Sequence, residues 1–190
     1  MCISSTIEKQ KLKTLIFLLS FLFIGSATSE ESLTWNEDVK LTWADFKGTP
    51  DSGSDAVALT ASGITFGFSV KTSEKKIVDF STTVFTHFYP NKSWYLKDKS
   101  NTYILNHEQL HFDITELYAR QFRQKLAKLE VNKNVKAQMK RLHAAINEEL
   151  NETQQRYDMQ TNHSLNVEMQ KEWNTNIQKE LDKLEAFKSI

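Results

Sequence analysis

Residues 106–117 read NHEQLHFDITEL, and apolar side chains recur at helical spacing in this stretch and after it. They are Leu110, Ile114, Leu117 and Leu126. Neither Gly nor Pro, the residues that most disfavour helix interiors, occurs anywhere from Asn91 to Ile190. The sequence therefore predicts a long helix from near Asn101 to near Leu129.

Two further helices are predicted after this one, because apolar residues again recur at steps of three and four. The first set is Val135, Met139, Leu142, Ile146 and Leu150, and the second is Met169, Trp173, Ile177, Leu181 and Leu184. Between them lies Thr161-Asn162-His163-Ser164, a cluster of residue types that cap helices. We expect the helices to be separated there.

The segment before the helices has the pattern of strands. Ile77 to Tyr89 alternates apolar and polar residues and is ended by Pro90. Ala56 to Val70 is rich in small, β-branched and aromatic residues and predicts one strand, or two joined near Gly63. Leu41 to Phe46 is predicted to be extended. These elements predict an α+β fold, with a small antiparallel sheet packed on three long helices and a cleft between the sheet and the first helix.

The first 29 residues have the features of a signal peptide. An apolar run from Leu15 to Ile24 is too short to span a bilayer comfortably, and small residues follow it up to Ser29. The run is preceded by Lys9, Lys11 and Lys13. We expect cleavage after Ser29, a secreted or periplasmic product without stable membrane insertion, and a single domain over residues 30–190.

Cysteine content and charge exclude several classes of protein. The only cysteine, Cys2, lies in the predicted signal peptide, so the mature chain would form neither disulfides nor thiolate zinc sites. The formal net charge is +0, and no long run of Lys and Arg occurs, which argues against a nucleic-acid partner. The oligomeric state is not indicated by the sequence.

His107 and His111 are candidate metal ligands. Residues four apart lie one turn apart on the same face of a helix, so these two imidazoles can hold one zinc ion. Glu108 lies beside them, where a carboxylate can take a proton from water. The alternative is an exposed helix face with incidental histidines, but apolar neighbours favour a buried helix.

A third ligand has to come from another part of the chain. Asp113 and Glu116 lie about 200° and about 140° around the helix from His111 and cannot reach the same metal. His87 is expected to make a cross-strand contact, and His143 lies beside an apolar helix stripe. His163 lies in the polar break between helices, and loops often carry functional groups, so we favour it as the third ligand.

The chain resembles a bacterial family of predicted secreted zinc-dependent proteases that has long been catalogued as a domain of unknown function. The resemblance rests on Trp43-x-x-Phe46-x-Gly48, Ala58-Leu59-Thr60, His107-Glu108-x-x-His111-Phe112-Asp113-Ile114 and Tyr157-Asp158-x-x-Thr161-x-His163. It covers essentially the whole mature chain. It implies a zincin-like fold, and it implies that residues 157–163 belong to the site.

These observations predict a secreted or periplasmic zinc metallopeptidase acting on peptides or proteins. One Zn2+ would be held by His107, His111 and His163, with water in the fourth position. Glu108 would act as the general base and pass the proton to the leaving amine. Tyr157 is a candidate oxyanion donor, although packing in the core explains it equally well.

Supporting roles are also predicted. Asp113, Glu116 or Asp158 would orient a ligand histidine, and of these Asp158 is the one that the family-like motif implies. A peptide substrate could pair with a sheet edge, for which the strand ending at Tyr89 is the natural candidate.

Two other functions remain open from the sequence. The chain could be an exported, non-enzymatic helical binding protein with a structural metal site or none, with Trp94, Tyr95 and Trp173 as partner anchors. It could also be a zinc hydrolase that acts on cell-wall peptides with the same catalytic residues.

Overall fold

A computed structural model describes residues 30–189 of the protein, so the predicted signal peptide over 1–29 lies outside the described residues. Three long helices dominate it. They are α1 (Thr102–Ala127), α2 (Val135–Thr161) and α3 (Val167–Lys183). They confirm the three predicted helices, and the break after Thr161 is confirmed by the left-handed backbone of the residues that follow. Within residues 30–189, no helix has the length and apolar character needed to cross a membrane.

Five strands, of which three are short and two are long, form two antiparallel sheets. They are β1 (Leu33–Thr34), β2 (Ala58–Leu59), β3 (Ser62–Ser73), β4 (Lys76–Phe88) and β5 (Trp94–Tyr95). The larger sheet has the order β1-β4-β3, and the smaller one pairs β2 with β5. The predicted α+β class with small antiparallel sheets is therefore confirmed, and the segment from Ala56 to Val70 forms two strands.

Two predictions about the strands are wrong. The extended segment predicted over residues 41–46 contains a 3-10 turn at Trp43–Asp45, because the Asp45 carboxylate accepts hydrogen bonds from both the backbone N–H and the hydroxyl of Thr42. The end of β4 is not a free sheet edge. Phe88 pairs with Leu33 of β1 on one side and with Ser62 of β3 on the other.

Helix α1 lies at the centre of the molecule, where it contacts α2, α3, β3 and β4. Because neighbours surround it, some of its charged residues, Glu108, Glu116 and Arg120, are buried. Glu116 is 0% exposed and accepts hydrogen bonds from Arg120 and Arg123 of α1 and from Thr86 of β4. The apolar core forms between α1, the β3–β4 hairpin and the other helices, with Ile114, Phe122, Met139 and Ile146 fully buried.

A second, smaller core joins the N-terminal segment to the other side of α1. It contains Trp35, Leu41, Phe46, Phe88 and Phe112. Trp43 stacks on Tyr95, with ring centroids 4.5 Å apart. The Gly48 N–H donates to the Ser93 carbonyl at 2.8 Å. These contacts hold β5, and through it β2, against the N-terminal end of α1.

We expect Gly48→Ala to destabilise the fold by about 1–3 kcal/mol, because a Cβ at Gly48 would lie 2.8 Å from the Ser93 carbonyl oxygen and backbone atoms cannot move aside as a flexible side chain can. Chemical denaturation would measure the loss. The matched control is Gly53→Ala, whose Cβ would meet only the Asp51 side chain, at 3.4 Å, and should be nearly neutral. Equal stability of the two variants would contradict the prediction.

Candidate metal centre

The N-terminal half of α1 positions His107, Glu108 and His111. The helix begins after Asn101, whose side chain accepts a hydrogen bond from the Ile104 N–H at 3.0 Å and so fixes where the helix starts. All three side chains line a cavity of about 390 Å³ between residues 56–62, α1 and α2. This position confirms the predicted cleft between a sheet and the first helix.

Asp158, in the last turn of α2, completes a group of three side chains with the two histidines. Its Oδ1 lies 3.2 Å from His107 Nε2 and 2.9 Å from His111 Nε2, and the two Nε2 atoms are 3.3 Å apart. One potential ligand atom from each residue lies within 4.8 Å of the others, so the group could hold a metal ion.

Gln154 sets the proton position on His111. Its amide Nε2 donates to the His111 carbonyl oxygen at 2.8 Å and to Thr115 Oγ1 at 3.2 Å, which turns its Oε1 toward His111 Nδ1 at 2.5 Å. An amide oxygen only accepts hydrogen bonds. His111 Nδ1 must therefore carry the proton, which leaves Nε2 of the neutral ring with a lone pair.

Gln170 of α3 does the same for His107. Its Oε1 lies 2.7 Å from His107 Nδ1 and accepts a second hydrogen bond from the Tyr157 hydroxyl at 2.8 Å, while its Nε2 donates to Asn174. Tyr157 also stacks on the His107 ring, with centroids 4.5 Å apart. The second imidazole is thus fixed in tautomer and in plane, again with Nε2 facing the group.

This arrangement fits a metal cation. The two Nε2 lone pairs and the Asp158 carboxylate oxygen are three electron-rich atoms that converge without a proton between them when the rings are neutral. A divalent ion relieves their mutual repulsion, and nitrogen and oxygen ligands of this kind suit zinc and neighbouring transition metals. Outer hydrogen bonds to the distal nitrogens of ligand histidines are a regular feature of such sites.

The electrostatics of the three side chains agree with this interpretation. Burial opposes the charged form of Asp158, but hydrogen bonds that His107 and His111 donate from Nε2 when their rings are protonated outweigh it and hold the pKa of the carboxyl well below its usual range. Burial likewise disfavours protonated His111, but the hydrogen bond to Asp158 and the charge of Glu108 outweigh it and raise the pKa of the imidazole. Both shifts show a site that attracts positive charge.

Glu108 is the one member of the site without a partner for a buried oxygen. The residue is 4% exposed, and within the described residues its Oε2 has no hydrogen-bond partner. Its backbone carbonyl accepts from the Thr60 hydroxyl at 3.1 Å, which ties α1 to the segment after β2. A buried carboxylate oxygen without a partner is costly, so it indicates a place reserved for something that binds.

The structure brings together two of the three predicted zinc ligands. His163 lies outside the group of three; it is exposed, has a φ of 51°, and lines the rim of the same cavity. Its role as a ligand stays a prediction. Tyr157, the candidate oxyanion donor, is 0% exposed, and its hydroxyl donates a hydrogen bond to Gln170. Because Gln170 also contacts His107, these contacts are those of a residue that positions His107.

Two of the predicted orienting residues act elsewhere. Asp113 accepts hydrogen bonds from Trp35 and Gln109, and Glu116 is bound by arginines, so neither touches a site histidine. His87 makes the expected cross-strand contact with Thr65. His143 packs between Phe66 and Phe122, as expected for a histidine beside an apolar stripe.

Sequence reasoning missed Asp158 as a metal-binding side chain and missed both glutamines. A signal was present in the spacing. Leu150, Gln154 and Asp158 follow one another at steps of four, so they form one row along α2 beside its buried stripe. The Asp158 carboxylate, one turn after the Gln154 amide in that row, was therefore a candidate for contact with α1.

Comparison with known proteins gives a family and no closer relative. The model of a family described as "Bacterial protein of unknown function (DUF922)" matches residues 43–164, well over half of the chain. The chain belongs to this family. All the motifs on which the resemblance rested lie inside the matched range, whereas Gln170 and α3 lie beyond it. No curated protein and no solved structure matches the chain.

We expect Asp158→Ala to lower the affinity for a divalent metal by more than about a hundredfold, because it removes one of the three convergent ligand atoms found among residues 30–189. His163→Ala should keep the metal, since its side chain lies outside the group. Metal content after gel filtration, and competition with a chromogenic chelator, would measure both variants. Loss of metal from His163→Ala, with retention in Asp158→Ala, would restore the ligand set predicted from the sequence.

We also expect Gln170→Met to weaken metal binding about 10- to 100-fold, because His107 would lose the acceptor that keeps its proton on Nδ1. Gln170→Glu should retain binding, since a carboxylate oxygen still accepts from the imidazole and from the Tyr157 hydroxyl. Gln178→Met, at an exposed position of the same helix, is the control. Chelator competition measures affinity, and nitrogen NMR of the imidazole reports the tautomer. Equal losses in both Gln170 variants would count against the proposed orienting role.

Proposed function

We propose that the protein is a zinc-dependent peptidase that hydrolyses peptide bonds with Glu108 as the general base. The observation that carries the proposal is the buried, unpartnered Oε2 of Glu108 beside three convergent ligand atoms in an open cavity. A metal group, a free carboxylate and space for a substrate are the three requirements of metal-assisted hydrolysis.

The number and type of ligands support a catalytic site over a structural one. Structural zinc sites are usually closed by four protein ligands, whereas catalytic sites have three and leave one position open. Two imidazoles and one carboxylate form such a set, and the group faces the cavity. A zinc ion held there would supply Lewis acidity, which activates water and polarises a carbonyl group. The same ligand set also suits non-haem iron, so metal analysis is part of the test.

Glu108 is placed to move a proton. Its carboxylate would accept a proton from water as the water oxygen bonds to the carbonyl carbon of the substrate. It would then deliver that proton to the amide nitrogen as the carbon–nitrogen bond breaks, so that the products are a carboxylic acid and an amine. The hydrogen bond from Thr60 to the Glu108 carbonyl holds this part of α1 at a fixed distance from the cavity wall.

Strand β2 offers a backbone edge for the substrate. It pairs with β5 on one side only, and residues 56–62 line the cavity on the other. An extended peptide could therefore add to β2 by backbone hydrogen bonds and lie across the mouth of the site. This edge takes the place of the strand ending at Tyr89, which does not line the cavity. The helix with two histidines and the adjoining edge strand support a zincin-like assignment.

The other two functions are less well supported. Trp94 is 6% exposed. The Trp173 indole N–H donates a hydrogen bond to Gln160, and its ring packs on Tyr157. Because both tryptophans take part in packing within the protein, they are poor anchors for a partner. Hydrolysis of cell-wall peptides would use the same residues and is distinguished only by substrate. Export of the protein, as predicted from residues 1–29, would bring it to either class of substrate.

We expect Glu108→Gln to lower kcat for peptide hydrolysis about a hundredfold or more while metal content is unchanged, because an amide cannot accept the proton. Hydrolysis of a casein digest or a peptide mixture, with chelator-treated enzyme as the blank, would measure it. Glu152→Gln, at an exposed position of α2, is the matched control and should behave as the wild type. Full activity of Glu108→Gln with metal bound would disprove the mechanism.

A further inference from the structure

We infer that the site takes internal segments of extended peptides, with an apolar side chain of the substrate seated on Met159. This inference rests on the proposed peptidase function and extends it to a class of substrate. It requires that the site be open on both sides of the scissile bond, that no group captures a chain end, and that an apolar surface lies beyond the metal group.

The metal group lies between two depressions of the surface. One is the cavity bordered by β2. The other, which we call the Met159 groove, is lined by Gln155, Asp158, Met159, Asn162 and His163. Asp158 and His163 line both, so the two depressions are neighbours at the metal group. We infer that a peptide bound along β2 extends past the metal group into the groove.

Neither depression contains a group that would hold a chain end. Among the described residues that line them there is no Lys or Arg, which a site selective for a terminal carboxylate would need. The carboxylates present are Glu108 and Asp158, and both already have roles in the proposed mechanism. A free ammonium end would therefore find no separate acidic partner. These walls fit a substrate that continues in both directions.

The groove contains one apolar side chain, Met159, among polar ones. Met159 is 70% exposed, although it lies on the last turn of α2 directly after a ligand residue. Leu165 and Val167, just past the same turn, are 75% and 58% exposed. A thioether side chain adapts to varied apolar partners, which suits a subsite that accepts several residue types. An exposed apolar side chain beside a cleft with polar groups is a regular feature of binding sites.

The test compares two libraries of short synthetic peptides of mixed sequence, one with free ends and one acetylated and amidated. The full-length protein loaded with Zn2+ cleaves them, and mass spectrometry reports the bonds cut. We expect equal rates for the two libraries, internal cut sites, and enrichment of apolar residues at one position beside the cut. Each cut adds one water molecule across a carbon–nitrogen bond.

Met159→Lys identifies the subsite. We expect kcat/KM for peptides with the preferred apolar residue to fall at least about tenfold, and acidic residues to become enriched at that position. Metal content should not change. Val131→Lys, an exposed apolar position in the connection between α1 and α2 outside both depressions, is the control and should keep the wild-type preference.

Three results would overturn the inference, and they are distinguishable from one another. Cleavage of the free library alone would show an enzyme that acts on chain ends, with the proposed peptidase function intact. An unchanged preference in Met159→Lys would show that the groove does not contact substrate. No cleavage of either library by the zinc-loaded wild type would reject the peptidase function itself.

Discussion

The hydrogen bonds from two histidine Nδ1–H groups to two glutamine oxygens are the constraint on which the candidate site depends. They determine which nitrogen of His107 and His111 carries the proton, and therefore that both free lone pairs face Asp158. Gln154 cannot reverse its amide without losing its own bonds to the His111 carbonyl and to Thr115. The suitability of the group for a metal ion follows from this fixed pattern of donors and acceptors more than from the histidine spacing alone.

The packing of the three helices provides this pattern of hydrogen bonds. Each imidazole of α1 is oriented by a different helix, Gln154 from α2 and Gln170 from α3, so the site is complete only when all three helices are packed. The turn between α2 and α3 keeps Asp158 and Gln170 on opposite sides of His107; its residues Asn162, His163 and Ser164 have φ values of 49°, 51° and 73°. A non-glycine backbone held in this region is strained, and such strain is usually retained where the surrounding structure requires it.

The sequence predicted what periodicity and spacing determine. The three helices, the hairpin partners and the shared face of His107 and His111 all follow from local patterns. The rest depends on contacts between distant residues. Asp158 rather than His163 faces the two histidines because of the rotation of α2 about its own axis. Packing determines this rotation, and the sequence indicates only which residues form one row along the helix. The 3-10 turn at Trp43–Asp45 escaped prediction because one side-chain carboxylate overrides the extended preference of its neighbours.

The contrast between the two buried glutamates of α1 supports the proposed chemical role of Glu108. Glu116 is 0% exposed and is satisfied by arginines, a threonine hydroxyl and the Ser189 backbone, which joins β4 and the C-terminal segment to the helix. Two turns earlier on the same helix, Glu108 Oε2 has no hydrogen-bond partner within residues 30–189. One buried carboxylate of the helix is thus fully satisfied, and the other is left without a partner beside a group that could hold a metal ion, which supports the proposed role of Glu108 in proton transfer. Stability alone would favour an apolar side chain at that position.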